Sequence, residues 1–355
     1  MNWLGCGSAP LRVAAKRNGD GTVVKAHMKT FILSMAIVAL CGGWLLGAAP
    51  ATAPTPTTKP KLKITPGQVI VPTDAMRRIW GELISVDLAT RTGTFRKETT
   101  DEVMRFTVLP YAELLHHAAF GDLEDFRIGE RAIFRMHENE NGEWTWLTYI
   151  QDEMNMMNGH KEYFYVDSIA PDKGELICTQ ANFDKSFVRE KDIPIETDAN
   201  TRYWKAGEPA KFADIKVGDK LRTKTHGSGK GKVRVAWEVF LDDQSLQKLQ
   251  AEQTAAHNAR MMAEGLPGYV DEAGGEQIKL TLFQEGGEQS AKLRAGMKVS
   301  VAAAGVDRKA TGQKMSGTVV AAKMAGRLCK VTLEVGAAGD GFKVGGLVRV
   351  WMAQP

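Results

Sequence analysis

A nine-residue pattern occurs twice in this chain of 355 residues, and it limits the possible folds more than any other feature. The first copy is LEDFRIGER at 123–131 and the second FADIKVGDK at 212–220. Both read apolar, any, Asp, apolar, basic, aliphatic, Gly, acidic, basic. Self-similarity of this kind marks a repeated supersecondary unit. Gly129 and Gly218 are expected in turns that need positive φ, each followed by a strand.

Other features recur in step. Trp146, Tyr149, Ile150 and Asp152 match Trp237, Phe240, Leu241 and Asp243 in spacing. Over 233–242 apolar and polar residues alternate, the period of a half-buried strand, with Trp146 and Trp237 expected in the core and Tyr149 and Phe240 on the opposite face. GELISVD at 81–87 and VDSI at 166–169 precede glycines 93 and 174, read as turn residues, and open two modules, 76–158 and 162–243. The C-terminal stretch 266–355 repeats on a smaller scale. Gly268 to Gly296 and Gly317 to Gly345 are each a step of 28 residues. One such unit is too short to bury a core, so the two together are expected to close one barrel. Thirty-six glycines suit a chain of many short strands and turns. Residues 244–265 differ: good helix formers without interior Pro or Gly, capped by Asp243 and ended by Gly265 and Pro267. The sparse apolar positions Leu246, Leu249, Ala256 and Met262 predict a largely solvated connecting helix. The fold class expected is mainly β: tandem small β-barrels, OB-like or SH3-like, with one connecting helix.

The opening at Gly81–Asp87, the stretch Thr197–Thr201 and the strands begun at Asp125–Arg131 and Asp214–Lys220 resemble a loose class of exported bacterial small β-barrel repeat domains, many of unknown function. The resemblance covers about half the chain and implies a small barrel but no activity. In the first module, residues 109–117 (LPYAELLHH) depart from that pattern and are expected to form a short helical insertion.

The N-terminus fits export. Lys29 precedes an uncharged run, 31–46, that is short for a membrane span but suits the apolar core of a signal segment. Ala49 and Ala51 fit an A-x-A site, with cleavage between Ala51 and Thr52. An uncleaved segment would instead anchor the chain, its only expected link to a membrane. Residues 52–75, rich in Pro, Thr and Lys, read as a linker. Residues 1–51 account for the whole formal charge of +4, leaving a neutral body without the electrostatic footprint of a nucleic-acid binder. Cys178 and Cys329 fall in different modules and form no disulfide framework, although one bridge between them is conceivable.

Candidate chemistry is sparse. Met154, Met156, Met157 and His160 form a soft-ligand cluster suited to Cu(I), or else padding between two barrels. His116 and His117, if helical, face apart and make a surface pair rather than a metal pair. The loop HGSGKGK at 226–232 lacks the spacing of a phosphate-binding loop and reads as a hairpin tip. Tyr149 and Phe240 are candidates for an aromatic binding platform, or for packing of one module on the next. The expectation is an exported, non-enzymatic barrel protein of periplasm or exterior, without cofactor, binding an envelope protein or glycan. Its rivals are an OB-like nucleic-acid binder, favoured only by the C-terminal part with 12 Lys/Arg against 8 Asp/Glu over 268–355, and a periplasmic copper handler.

Overall fold

The computed structural model describes residues 76–227 and 233–353. The cleavage site Ala51/Thr52, the linker and most of the loop 226–232 lie outside them.

The first barrel comprises β1 (Met76–Asp87), β2 (Thr92–Lys97), β3 (Val103–His116), β4 (Ala119–Phe120), β5 (Arg131–Glu138) and β6 (Trp144–Asp152). Its sheet runs β2-β1-β5-β6-β3-β4, and a further β2–β3 pairing closes it. Only β3 and β6 pair in parallel. That is the five-stranded Greek-key plan of an OB-type barrel. Leu83, Phe95, Phe106, Phe134, Leu147 and Ile150 fill it, with Phe95 stacked on Phe134 at 4.0 Å. After α1 (Glu153–His160) the second barrel repeats the plan with β7 (Glu162–Ala170), β8 (Glu175–Asn182), β9 (Val188–Lys205), β10 (Glu208–Ala210), β11 (Lys220–His226) and β12 (Arg234–Phe240). Its order is β10-β9-β12-β11-β7-β8, closed by β8–β9, with β9 and β12 parallel. The third barrel follows α2 (Asp243–Glu264). It comprises β13 (Leu266–Gly274), β14 (Gln277–Leu282), α3 (Gly287–Ser290), β15 (Lys298–Ala304), β16 (Met315–Ala325), β17 (Leu328–Glu334) and β18 (Leu347–Met352). Six strands close in the order β13-β14-β17-β16-β15-β18. Exchanging β13–β15 with β16–β18 leaves every pairing intact, so the two short repeats are halves of one pseudo-symmetric barrel.

The repeated glycine has the same role in all three barrels. Arg127 to Glu130 and Lys216 to Asp219 are turns closed by a hydrogen bond of 3.0 Å between their end residues. The third residue, Gly129 or Gly218, has φ of +90°. A type II turn demands that conformation, and glycine adopts it without a Cβ clash. The turn then docks on the barrel's first strand. Gly129 N–H donates to the Leu83 carbonyl at 2.6 Å and Leu83 N–H to the Glu130 carbonyl at 2.9 Å. Gly218 and Asp219 do the same with Val166, at 2.8 and 2.9 Å. In the third barrel Gly296 and Met297 clasp Val319, while Gly345 and Gly346 clasp Val270, all at 2.8–3.0 Å. The acidic residues of the pattern serve the backbone: Glu130 accepts from Arg127 N–H at 3.0 Å and Asp219 from Lys216 N–H at 2.8 Å. The aliphatic residue before each glycine faces solvent, with Ile128 56% and Val217 63% exposed.

Four expectations change. Residues 109–116 continue β3 instead of forming a helix, because Ala112, Leu114 and His116 alternate inward at period two. The expected core tryptophans are only half-buried. Against β11 the pairing slips between Ala236 and Glu238, so Trp237 is an extra residue, and beyond it Glu238, Val239 and Phe240 are all buried. A similar slip between Arg135 and Met136 skips Thr148, and Leu147 and Ile150 become the core residues of β6. Gly93 lies within β2, and Arg91 with φ of 52° makes the turn before it. Finally, α2 starts at Asp243 and is capped by Asp242, which accepts from Ser245 N–H at 2.8 Å. It buries Leu246, His257 and Met261, leaving Met262 exposed. It is a strut more than a tether: Gln250 donates to the Ala118 carbonyl at 3.0 Å, Arg260 pairs with Asp125 at 3.2 Å, and His257 Nε2 lies 2.8 Å from the Glu285 carbonyl. Cys178 and Cys329 are free and buried, each in the core of a different barrel.

Candidate functional site

Two places gather chemistry-bearing side chains: the seam between the first two barrels and an outer face of the second. The seam is ionic and buried. Lys224 comes from β11, Glu130 from the glycine turn, Asp152 from the end of β6, and His116 and His117 from the end of β3. His117 and Ala118 take φ of 49° and 63°, a tight turn that brings the two rings within 4.0 Å of each other. The histidines are thus neither helical nor a surface pair. Lys224 Nζ lies 2.7 Å from Glu130 Oε1, 3.6 Å from Asp152 Oδ2 and 2.7 Å from His116 Nε2. An ammonium has only donors, so in the neutral ring His116 Nε2 accepts and the proton sits on Nδ1, 3.3 Å from Gln253 Oε1. Burial and Lys224 lower the ring's pKa, but Glu130 and Asp152 outweigh them and raise it. His117 Nε2 faces Glu238 Oε2 at 3.2 Å. Burial, helped by Lys224 and His116, keeps the His117 ring below the usual histidine range despite Glu238. Burial raises the Glu238 carboxyl, but the His117 hydrogen bond with the Lys224, His117 and Arg202 charges outweighs it and holds the pKa at about 2. Asp152 also caps α1 through Asn155 N–H at 2.8 Å and accepts from His117 N–H at 2.8 Å. Glu153 accepts from Arg131 and from the Thr225 hydroxyl, both at 2.7 Å.

Donor atoms of His116, His117 and Asp152 all lie within 4.8 Å of one another, a spacing that suits a metal. The Lys224 ammonium already supplies the cation among them, and its charge opposes a second one. The arrangement is an electrostatic latch between barrels.

The sequence-derived candidates fall around this seam. Met154, Met156 and Met157 are buried in the core of the second barrel, in one cluster with Ile133 of the first, while His160 is exposed at the end of α1. The three thioethers thus sit among apolar side chains, away from the imidazole. Phe240 is 1% exposed and belongs to the same core, so no paired platform with Tyr149 exists. Beyond the Trp237 bulge Glu238, Val239 and Phe240 are all buried, so the alternation that suggested one ends there. Tyr149 is half-buried; its hydroxyl donates to Gln151 at 2.6 Å and Arg135 covers its ring at 4.4 Å. The bulged Trp237 stacks on His226 at 4.7 Å.

The outer face of the second barrel carries an aromatic surface that pattern reading missed. Between β8 and β9 a tight loop holds Phe183 and Phe187 outward, 60% and 54% exposed. The loop is fixed by its own polar residues: Ser186 N–H donates to Asp184 at 3.0 Å and Phe187 N–H to Asn182 at 3.0 Å. Tyr163 and Tyr165 of β7 lie beneath. Lys220 Nζ is 4.1 Å from the Phe183 ring, Arg222 is 4.0 Å from Tyr163, and Lys185 Nζ is 4.1 Å from Tyr165. Arg222 is neutralised by Asp243, which also accepts from the Tyr163 hydroxyl at 2.9 Å. Lys161, Lys185 and Lys220 have no ion-pair partner among the described residues. A cleft of about 380 Å³ runs from Phe183 and Tyr163 to the amides of Asn158, Gln247 and Gln250. The signal in the sequence was NFDKSFV at 182–188, a polar turn bracketed by two phenylalanines.

These features define a class: a tandem small-β-barrel protein with a latched seam and an exposed aromatic face. No protein-family model matches the chain, and neither does any curated protein. Among solved structures, apo-CusF residues 6–88 from Escherichia coli aligns with 23% of this chain and 95% of its own, at 15% identity and a TM-score of 0.18. A likeness of that size carries no weight for fold or function here. No helix among the described residues is long and apolar enough to cross a membrane.

Proposed function

We propose that this chain is an exported, non-enzymatic binding module of the cell envelope, and that it holds a glycan on the outer face of its second barrel. The observation that carries the reading is the cleft beside Phe183. An aromatic ring more than half exposed stands next to three side-chain amides and unpaired lysines. Sugar rings present C–H faces to aromatics and hydroxyls to amides, which this combination can satisfy at once. The loop geometry supports a preformed site, since Asn182 and Asp184 hold the phenylalanines out through hydrogen bonds within the loop itself. The signal-like segment and the neutral body of the sequence support an envelope address.

The test is co-sedimentation of the protein with washed, protein-free cell-wall glycan, alongside the intact mass of the native chain in each cell fraction. Saturable pelleting that weakens about tenfold in Phe183→Ala, by loss of roughly 1–2 kcal/mol of stacking and burial, is expected. So is a soluble extracytoplasmic chain beginning at Thr52. Pelleting that ignores Phe183→Ala would remove the site, and a full-length cytosolic chain would remove the envelope role.

A further inference from the structure

The first barrel holds a second concavity, built from the opposite ends of the strands that form the seam. His116 and Asp152 end β3 and β6, whereas this cleft uses their beginnings, near Arg105 and Trp144, with Arg77 and Arg78 of β1 and Lys97 of β2. Its volume is about 570 Å³. Four cationic side chains face it against one carboxylate, Glu102. Glu102 lies 3.9 Å from Lys97, with its side chain 61% exposed. Arg77, Arg78 and Arg105 have no carboxylate partner among the described residues. The Arg77 guanidinium instead lies 3.9 Å over the Trp144 ring. Arg78 stands directly opposite Arg135 in the β1–β5 pair, and like charges facing each other across a sheet are destabilising. An excess of guanidinium groups without counter-charge, around a concave space, is relieved by an anion.

We propose that this cleft binds a small, multiply charged phosphorylated anion. Guanidinium forks match phosphoryl oxygens bidentately, and three are available here. The remainder of the chain beyond residue 51 carries no net charge, so the positive field is local rather than a track. A nucleic acid or an anionic membrane needs a continuous basic surface to gain from counterion release. A compact anion needs only the cleft. Arg78 and Arg105 grip the phosphoryl groups, Lys97 adds long-range attraction, and Glu102 opposes them, limiting affinity. The site shares no residue with the face around Phe183.

The experiment is calorimetric titration of the intact protein with pyrophosphate at low salt, on the native chain and on Arg78→Gln, Arg105→Gln and Glu102→Gln, each checked for an unchanged melting temperature. The proposal expects one pyrophosphate per chain and affinity about tenfold weaker in either arginine variant. It expects affinity at least twofold tighter in Glu102→Gln, and no change in Phe183→Ala. The gain in Glu102→Gln is a result that misfolding cannot imitate. Parallel titrations use a 20-nucleotide single strand and phosphatidylglycerol vesicles. Absence of pyrophosphate binding, or affinity indifferent to both arginines and to Glu102, overturns the proposal. Arginine-dependent binding of the oligonucleotide or vesicles without binding of pyrophosphate also overturns it, in favour of a polymer or membrane surface.

Discussion

Replacing Lys224 by Met removes the one ammonium that three other seam groups face. Glu130 and Asp152 are at most 1% exposed, and they would lose a cation at 2.7 and 3.6 Å. Breaking a buried pair by deleting one partner costs about 3–5 kcal/mol, because the remaining charge stays out of water. The backbone donors to Glu130 and Asp152 persist, which favours the lower half of that range. Hydrogen exchange over β11, read by mass spectrometry, should lose roughly two to three decades of protection at pH 7. The pH dependence gives the sign. In the native protein, burial raises Glu130, but Lys224 and His116 outweigh it and hold it below the ordinary carboxyl range. Its contribution is therefore complete above the unfolded pKa and lost as pH falls through the folded one. In Lys224→Met burial dominates and the folded pKa rises above the unfolded one. The deficit is then largest at neutral pH and shrinks on acidification. Lys224→Met combined with Glu130→Gln should recover part of the loss. A deficit under about 1 kcal/mol at pH 7, or one that stays constant down to pH 4, would refute the account of the latch.

Three further outcomes follow from the geometry. Gly218→Ala should cost about 1–2 kcal/mol by thermal unfolding, since φ is +90° with nothing within 4 Å of a new Cβ, and Gly218→Asn should cost less; equal costs would contradict the turn argument. Glu238, held at about 2 against an ordinary 4.5, should contribute about 3 kcal/mol that is complete above pH 4.5 and lost as pH falls to 2; Glu238→Gln should flatten that part of the acid limb, and an unchanged limb would assign it elsewhere. The Cys178 thiol, fully buried and pushed up to about 12 by burial and then by Asp167, should react with iodoacetamide only as fast as the second barrel opens; rapid labelling in native buffer would mean that the core is not closed.

What the sequence disclosed was local and repeated. The pattern around Gly129 and Gly218 was legible because a type II turn needs glycine at one position, and the side chains around it make short-range bonds. The strand alternation was legible up to the point where one residue was added. A bulge at Trp237 costs nothing in composition, and beyond it Glu238, Val239 and Phe240 are all buried, so the strand has no solvent face there and Phe240 went from expected surface to core. Residues 109–117 looked helical because Ala, Glu and Leu are good helix formers. Parallel pairing with β6 outweighed that preference. The seam was invisible for a different reason. Lys224, Glu130 and His116 are separated by up to 108 positions, and nothing local signals that three charged or polar side chains will share one buried point. The methionines at 154–157 carried both readings in composition alone, and only their surroundings separate the thioethers from His160.

The pseudo-symmetric third barrel leaves its chain ends side by side. Leu266 at the start of β13 pairs with Val350 near the end of β18, so the two ends meet across one hydrogen-bonded ladder. A few residues could join them there, and the chain could be opened instead at the loop 305–314 between β15 and β16. The permuted order, β16 to β18 followed by β13 to β15, keeps every strand pair it had before. The same geometry lets one half stand in for the other. Two copies of a single half, each clasping its partner's first strand with its own glycine turn, contain all the pairings of the closed barrel. An intramolecular barrel of this kind is thus a homodimer with its subunits spliced end to end.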